Sequence, residues 1–461
     1  MKRNPATLLF VCALLAYSAM PLPASAKEAG AVSDLYITIY NGDLALVKEK
    51  RSFNLANGRQ QFTLDNVSGR LNPSTVHLAF PEGVEFELLE QNFDYDLVNM
   101  DKMLEKFIGR ELTLIDDYNK TEQRVTLLST AGGRVVRDAS GQILLNPPGR
   151  VVLPAGSADE LLLRPTLSWD LWSGSSGTQT GEISYLSGGL DWKADYVVML
   201  NADDTAADIE GWVTLTNNSG TTFENANLKL VAGDVNRAQE YDEMPMDGEF
   251  ERYAMAQEAA PGGFEEESFF EYHLYDLQRP TTIRNSQQKQ IGLLTAAGVG
   301  TEKLFVFDGR YGGDVSVKVQ FENSEENNMG MPLPKGIVRV FKADSKGQAQ
   351  FVGEDRIDHT PRDEDVRLTI GNAFDIKGET VKQDYKDIGS GYTETWEITL
   401  KNHKESEDVT VTVPFAIWGD WDILSASTDY VKKDANTAEF RVDVPADGET
   451  KFTFQYRVVW R

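Results

Sequence analysis

Trp396-Glu397-Ile398-Thr399-Leu400-Lys401-Asn402 alternates large apolar and polar side chains and then stops at an asparagine. In an extended chain successive side chains point to opposite faces. Trp396, Ile398 and Leu400 therefore share one face, and Glu397, Thr399 and Lys401 the other. Two earlier stretches repeat the pattern: Trp212-Val213-Thr214-Leu215-Thr216-Asn217 and Val317-Lys318-Val319-Gln320-Phe321-Glu322-Asn323. Each of the three leads through a polar turn to another alternating run, at 226–231, 336–341 and 409–413. Asparagine suits the strand exit because its side chain can mimic a backbone turn and it tolerates a left-handed conformation. Three sandwich-type units with a common strand–turn–strand element follow. The likeness is short, so it speaks for shared architecture rather than duplication.

Working outward, turn residues recur every eight to twelve positions with short alternating runs between them, an all-β signal over most of the chain. Leu35 to Tyr40 ends at Asn41-Gly42, a strong hairpin turn because both residues accept positive φ. One helix stands out. Asn99 can cap it, Met100, Met103, Leu104, Phe107 and Ile108 form its apolar stripe, and Gly109 stops it. Five strand-like runs follow, at 111–116, 123–128, 134–138, 142–145 and 150–153, which is the order of a small SH3-like or Sm-like barrel. Residues 96–156 carry eight basic and eight acidic side chains, a neutrality that favours a structural or protein-binding module over an RNA-binding one. The expected fold is thus all-β: immunoglobulin-like β-sandwich units with this barrel inserted in the N-terminal half. The expected divisions are 27–95, the insertion 96–156, 157–238 packing with 27–95, an acidic linker 239–271, a sandwich 272–378 and a C-terminal sandwich 379–461.

The first 26 residues read as a secretory signal: Lys2 and Arg3, an apolar run from Thr7 to Tyr17, and the small residues Ala24-Ser25-Ala26 before Lys27. The apolar run is short for a bilayer span, and no later stretch is longer, so no membrane anchor is expected after cleavage. The single cysteine, Cys12, falls inside this signal, which leaves the mature chain without disulfide, thiolate ligand or cysteine nucleophile. Acidic residues number 72 against 45 basic ones, two of the latter within the signal. That balance argues against nucleic acid or anionic lipid as a partner. The segment 239–271 holds eleven acidic residues and one basic one, Arg252. Its composition suits a flexible linker, with Phe264, Phe269 and Phe270 as a docking motif in the alternative reading.

Several runs read together as a family signature: Gly188-Gly189-Leu190-Asp191-Trp192-Lys193-Ala194-Asp195-Tyr196, Gly211 to Gly220, Leu228 to Val235, Lys289-Gln290-Ile291 and Gly353-Glu354-Asp355-Arg356-Ile357-Asp358-His359-Thr360-Pro361. The set resembles the exported mucoidy-inhibitor-like proteins, which share a C-terminal domain of unknown function. The resemblance covers about residues 183–461. It implies no reaction, cofactor or catalytic residue. Longer members, those like mucoidy inhibitor A, place a coiled coil before this domain, and this chain shows no sustained heptads.

Candidate chemistry is sparse. His77 reads as a structural histidine in a strand, His403 as a solvent-facing turn residue, and His273 borders the acidic segment. No histidine pair has zinc-peptidase spacing and no Gly-x-Ser-x-Gly elbow occurs, so no catalytic residue is assigned. Glu354, Asp355, Asp358 and His359, with Asp363, Glu364 and Asp365, offer oxygen ligands and one imidazole to a divalent cation. A surface turn with Arg356 paired to Asp355 or Asp358 explains the same charges structurally. Trp418 and Trp421, in Ile417-Trp418-Gly419-Asp420-Trp421-Asp422, either fill the core or stand exposed and stack on sugar rings. Trp169 and Trp172 pose the same choice.

The sequence therefore points to a periplasmic or secreted, non-catalytic scaffold or binding protein of the cell envelope, engaging proteins or surface polysaccharide. The alternatives are a metal-assisted hydrolase centred on Glu354 to Asp365 and a carbohydrate-binding module using Trp418 and Trp421.

Overall fold

The computed structural model describes residues 26–460 apart from 96–99, 117, 119, 156, 158–163, 234, 237–263, 270 and 271. All but the last residue of the expected export signal, with Cys12, the expected Asn99 cap and most of the acidic segment, lie outside the described residues. Among the described residues the chain is almost wholly β-strand, with one α-helix, Met100–Lys106. The all-β expectation holds. The chain divides into two compact units, one of residues 1–34, 49–69 and 73–184, the other of 35–48, 70–72 and 185–461.

In the first unit, Thr166–Ser173 lies between Gly58–Asp65 and Phe86–Asp94 in an antiparallel sheet. Its inward Phe62 and Trp169 meet Phe53, from the strand Leu44–Leu55 of another sheet, edge to face: Phe53 stands 5.2 Å from both Phe62 and Phe80, and 6.4 Å from Trp169. T-shaped contacts of this kind set the positive ring edge against a negative face. Trp169 is a core residue whose Nε1 donates to Gln91, whereas Trp172 is exposed. The helix and the five strands that follow it also belong here. Leu104 and Phe107 pack on Leu112, Leu114, Val125, Leu127 and Val136. Met100 and Ile108 are exposed, so only half of the expected stripe is spent on packing. Gly109 ends the helix with φ 82°, a left-handed value open to glycine. The strands form an open antiparallel sheet, from Ile143–Leu145 at one edge to Arg150–Val152 at the other, and not the closed barrel expected. The two edge strands, three residues each, do not pair with one another.

In the second unit, Leu190–Leu200 pairs antiparallel with Ala206–Asn217 and parallel with Gly336–Ala343 inside a five-stranded sheet. Phe264–Phe269, expected as linker, pairs with Tyr272–Leu277. His273 Nδ1 and a Glu266 carboxylate oxygen lie 2.7 Å apart across that pair. A nine-stranded sheet follows, in which Asp365–Asp387 pairs first with Asp314–Glu322 and then with Gly391–Asn402. The division expected between 378 and 379 thus falls inside one strand. The sheet folds over on itself, so that Phe415 meets Trp396 at 5.1 Å and Phe454 at 4.8 Å, while Phe440 meets Phe454 at 4.7 Å. One ladder supplies both faces of this sandwich.

The three strand-ending asparagines play one part. Asn217, Asn323 and Asn402 are all buried. Asn217 Nδ2 donates to the carbonyls of Thr221 and Ile283, and its Oδ1 accepts from the Ser219 amide. Asn323 donates to Met331 and Pro361 and accepts from Gly330. Asn402 donates to Glu407, Val444 and Pro445 and accepts from Lys404. Each ties its own turn to a crossing segment, satisfying buried backbone groups that a strand end would leave orphaned. Gly189 is fitted to the first of these ties. Its φ is +82°, and a Cβ there would stand 2.6 Å from the Ser219 Cα.

Candidate functional site

The acidic stretch after Gly353 does not gather into a site. Glu354 and Asp355 are neighbours in the strand Ala349–Ile357 and so point to opposite faces. Glu354 lies 3.2 Å from the Arg339 Nε. Asp355 accepts the backbone amides of Arg356 at 2.8 Å and Thr369 at 2.6 Å, rather than the expected Arg356 guanidinium. His359 Nδ1 accepts the Lys335 amide at 3.2 Å, and the Asp358 carbonyl accepts the Thr360 hydroxyl. Pro361 and Glu364 present backbone carbonyls to Asn323, so this turn is the crossing segment of the second asparagine tie. Among the described residues, no group of three or more His, Cys, Asp or Glu side chains is placed to hold a metal ion. His77 lies in the strand His77–Ala79, as expected, with its side chain exposed, and His403 is exposed as expected.

The two C-terminal tryptophans part company. Trp421 is 3% exposed, donates its Nε1 to the Ala435 carbonyl at 2.7 Å and fills the core. Trp418, in the turn that follows Val409–Ala416, is 52% exposed. Beneath it lies the one charged cluster sunk into this sandwich's core face. In Gly391–Asn402 the inward parity runs Tyr392, Glu394, Trp396, Ile398, Leu400, so a carboxylate occupies an apolar position. Glu394 is only 4% exposed. Lys382 Nζ donates to its Oε1 at 2.7 Å, Trp396 Nε1 to its Oε2 at 2.8 Å, and the Tyr456 hydroxyl also donates to Oε2. Arg310 Nη1 in turn donates to the Tyr456 oxygen at 2.8 Å and to the Ala416 carbonyl at 3.2 Å. Tyr456 therefore relays between the guanidinium and the carboxylate, which are 3.9 Å apart.

Backbone details explain this convergence. Asp384 and Tyr385 lie opposite Thr395 and Glu394, while Lys382 lies opposite Trp396, and the register slips between Lys382 and Asp384. That bulge puts Lys382 and Tyr385, three positions apart, on the same side of the strand. Arg310 comes from the loop after Glu302–Val306, where Asp308 Oδ1 accepts the amides of Arg310 and Tyr311 and fixes the turn.

Electrostatics follow from these contacts. Burial pushes the Glu394 pKa up, but hydrogen bonds from Lys382, Tyr456 and Trp396 and the Lys382 charge outweigh it and hold the carboxyl below its ordinary value. Burial, then the bond to Glu394, raises the Tyr456 phenol. Glu394 is thus an ionised brace saturated with donors. Two cations against one anion leave the cluster with a net positive charge.

Cations and rings alternate outward from this brace. The Arg310 guanidinium lies 5.2 Å from the Trp418 ring centre and 5.7 Å from that of Trp396. Lys382 Nζ lies 5.1 Å from Trp396 and 5.8 Å from Tyr385. Tyr385 stacks on Tyr392 at 5.6 Å, and Tyr392 meets Trp460 at 6.4 Å. Each cation–ring contact falls within the range where the ring quadrupole attracts the charge. The outer members are open to solvent: Trp418, Tyr385 at 54% and Trp460 at 56%. The result is a series of rings, three of them exposed, in which anchored cations lie beside Trp418 and Tyr385. Such a row offers apolar ring faces with polar donors between them, the combination that receives a sugar ring or an extended polar chain.

Arg310, Lys382, Glu394, Tyr385 and Trp460 escaped the sequence reading, although Glu394 was visible as an acidic residue on the apolar parity of Gly391–Asn402. A scan against protein-family models found no match to this chain, and neither did a search of the curated proteins.

Proposed function

We propose that this protein is a non-catalytic, exported binding or scaffold protein of the cell envelope, and that its C-terminal sandwich engages surface polysaccharide through the aromatic row at Trp418. The exposed Trp418 ring, pinned over Arg310 while its neighbour Trp421 is spent on the core, carries this reading. A large ring half in solvent over a charge network returns little stability for its exposed apolar area, and it preorganises a stacking surface. The basic start and apolar run before Lys27 support export, and the resemblance to mucoidy-inhibitor-like proteins supports an envelope setting. Retardation in gels containing native envelope polysaccharide tests it. The wild type is expected to be retarded and Trp418→Ala to run freely with an unchanged fold. Equal migration of the two, or no retardation of either, overturns the assignment.

A further inference from the structure

The rings of the row take no account of ligand charge, but the cations between them do. Lys382 uses one of its three donors on Glu394, and its side chain is 41% exposed. It lies between the buried Trp396 and the exposed Tyr385, so the ammonium stands beside a ring that is open to solvent. Arg310 is more enclosed and its Nη1 is committed to Tyr456 and Ala416. The brace leaves one positive charge in excess, on a chain whose net charge is −27. A local positive surplus under a surface that otherwise repels anions is a selective feature.

We propose that the row takes an acidic saccharide, with sugar rings stacked on Tyr385 and Trp418 and a carboxylate accepting from Lys382 Nζ. This rests on the polysaccharide reading above and narrows it to a charged ligand. The carboxylate would add to Glu394 rather than replace it, because Glu394 is buried and already bonded while the Lys382 side chain is 41% exposed. Neutral saccharides would keep the stacking and lose the ion pair.

Oligogalacturonate and hyaluronan oligosaccharides, each compared with its own methyl ester, isolate the charge at constant ring shape. Titration calorimetry of the full chain at low salt is expected to give about three- to tenfold tighter binding of the acid than of the ester, the size of one net hydrogen bond at a solvent-exposed site. The preference should shrink as salt is raised. Lys382→Gln should bring the acid down to the level of the ester, Lys382→Arg should keep the preference, and Trp418→Ala should weaken both ligands together. Acid and ester binding alike in the wild type would overturn the charge selection while leaving the saccharide reading standing. No binding of either form would overturn both. The wild-type comparison needs no variant, so loss of fold in Lys382→Gln cannot hide the answer.

Discussion

Replacing Asn402 with alanine should cost about 3 kcal/mol, from three hydrogen bonds of about 1 kcal/mol each. Its amide has two hydrogens and three carbonyls in reach, Glu407 at 2.8 Å, Pro445 at 3.1 Å and Val444 at 3.3 Å. Two full bonds are the most it can donate, and its Oδ1 adds a third by accepting the Lys404 amide at 3.0 Å. Carbonyls left dry would add to the loss, and water entering from the exposed turn would reduce it. Equilibrium urea unfolding of the full chain, followed by tryptophan fluorescence, reads this as a midpoint shift. With a slope of about 3 kcal/mol per molar urea the shift is about 1 M. Asn402→Asp is the sharper variant. It keeps the size and the acceptor for Lys404 but turns an oxygen toward the carbonyls and buries a charge, so at neutral pH it should cost at least as much as alanine. If both variants unfold within about 0.3 M of the wild type, the tie is a decoration and the shared role of Asn217, Asn323 and Asn402 is wrong.

Four further outcomes follow from the same geometry. Trp421→Ala should destabilise by about 3–5 kcal/mol, as large core truncations do, while Trp418→Ala costs about 1 kcal/mol or less, a contrast that thermal melts will show. Gly189→Ala should be poorly folded or strongly destabilised, because its φ of +82° disfavours a side chain and the obstructing Ser219 atoms are backbone; soluble yield and melting temperature report it. Glu394 has a depressed folded pKa, so its contribution is present above its unfolded value and is lost as pH falls through the folded one. The stability gap between wild type and Glu394→Gln, measured by urea midpoints, should accordingly narrow from pH 7 toward pH 3, and a gap constant with pH refutes it. Asp204 holds Lys303 at 2.9 Å and Lys342 at 2.5 Å; Asp204→Asn keeps its left-handed φ of 60° and loses both ion pairs, so its melting temperature should fall and should depend less on salt than that of the wild type.

The strands were legible because a half-buried sheet imposes a period of two, and 396–402 states that period without ambiguity. The strand-ending asparagines were legible as turn formers but not as buried ties, since their partners lie as far off as Ile283, Pro361 and Pro445. Trp418 and Trp421 are three positions apart in one turn-containing segment, where alternation gives no rule for which ring is buried. The cation–ring row was hidden for the same reason: Arg310, Lys382 and Glu394 meet only through a loop, a register slip and a strand pairing that local sequence does not encode. The acidic stretch at 354–365 left two readings open, because adjacent carboxylates in a strand look like a cluster on the page and are separated by the pleat.

The strand Asp365–Asp387 reaches up to about 75 Å if fully extended, at about 3.3 Å per residue. It is hydrogen-bonded to Asp314–Glu322 over one part of its length and to Gly391–Asn402 over the other. Tension applied by a captured polymer at the Tyr385 end would therefore run in shear along this single rod, loading many ladder bonds at once instead of peeling them one by one. An element of that kind is suited to keeping hold of something that pulls.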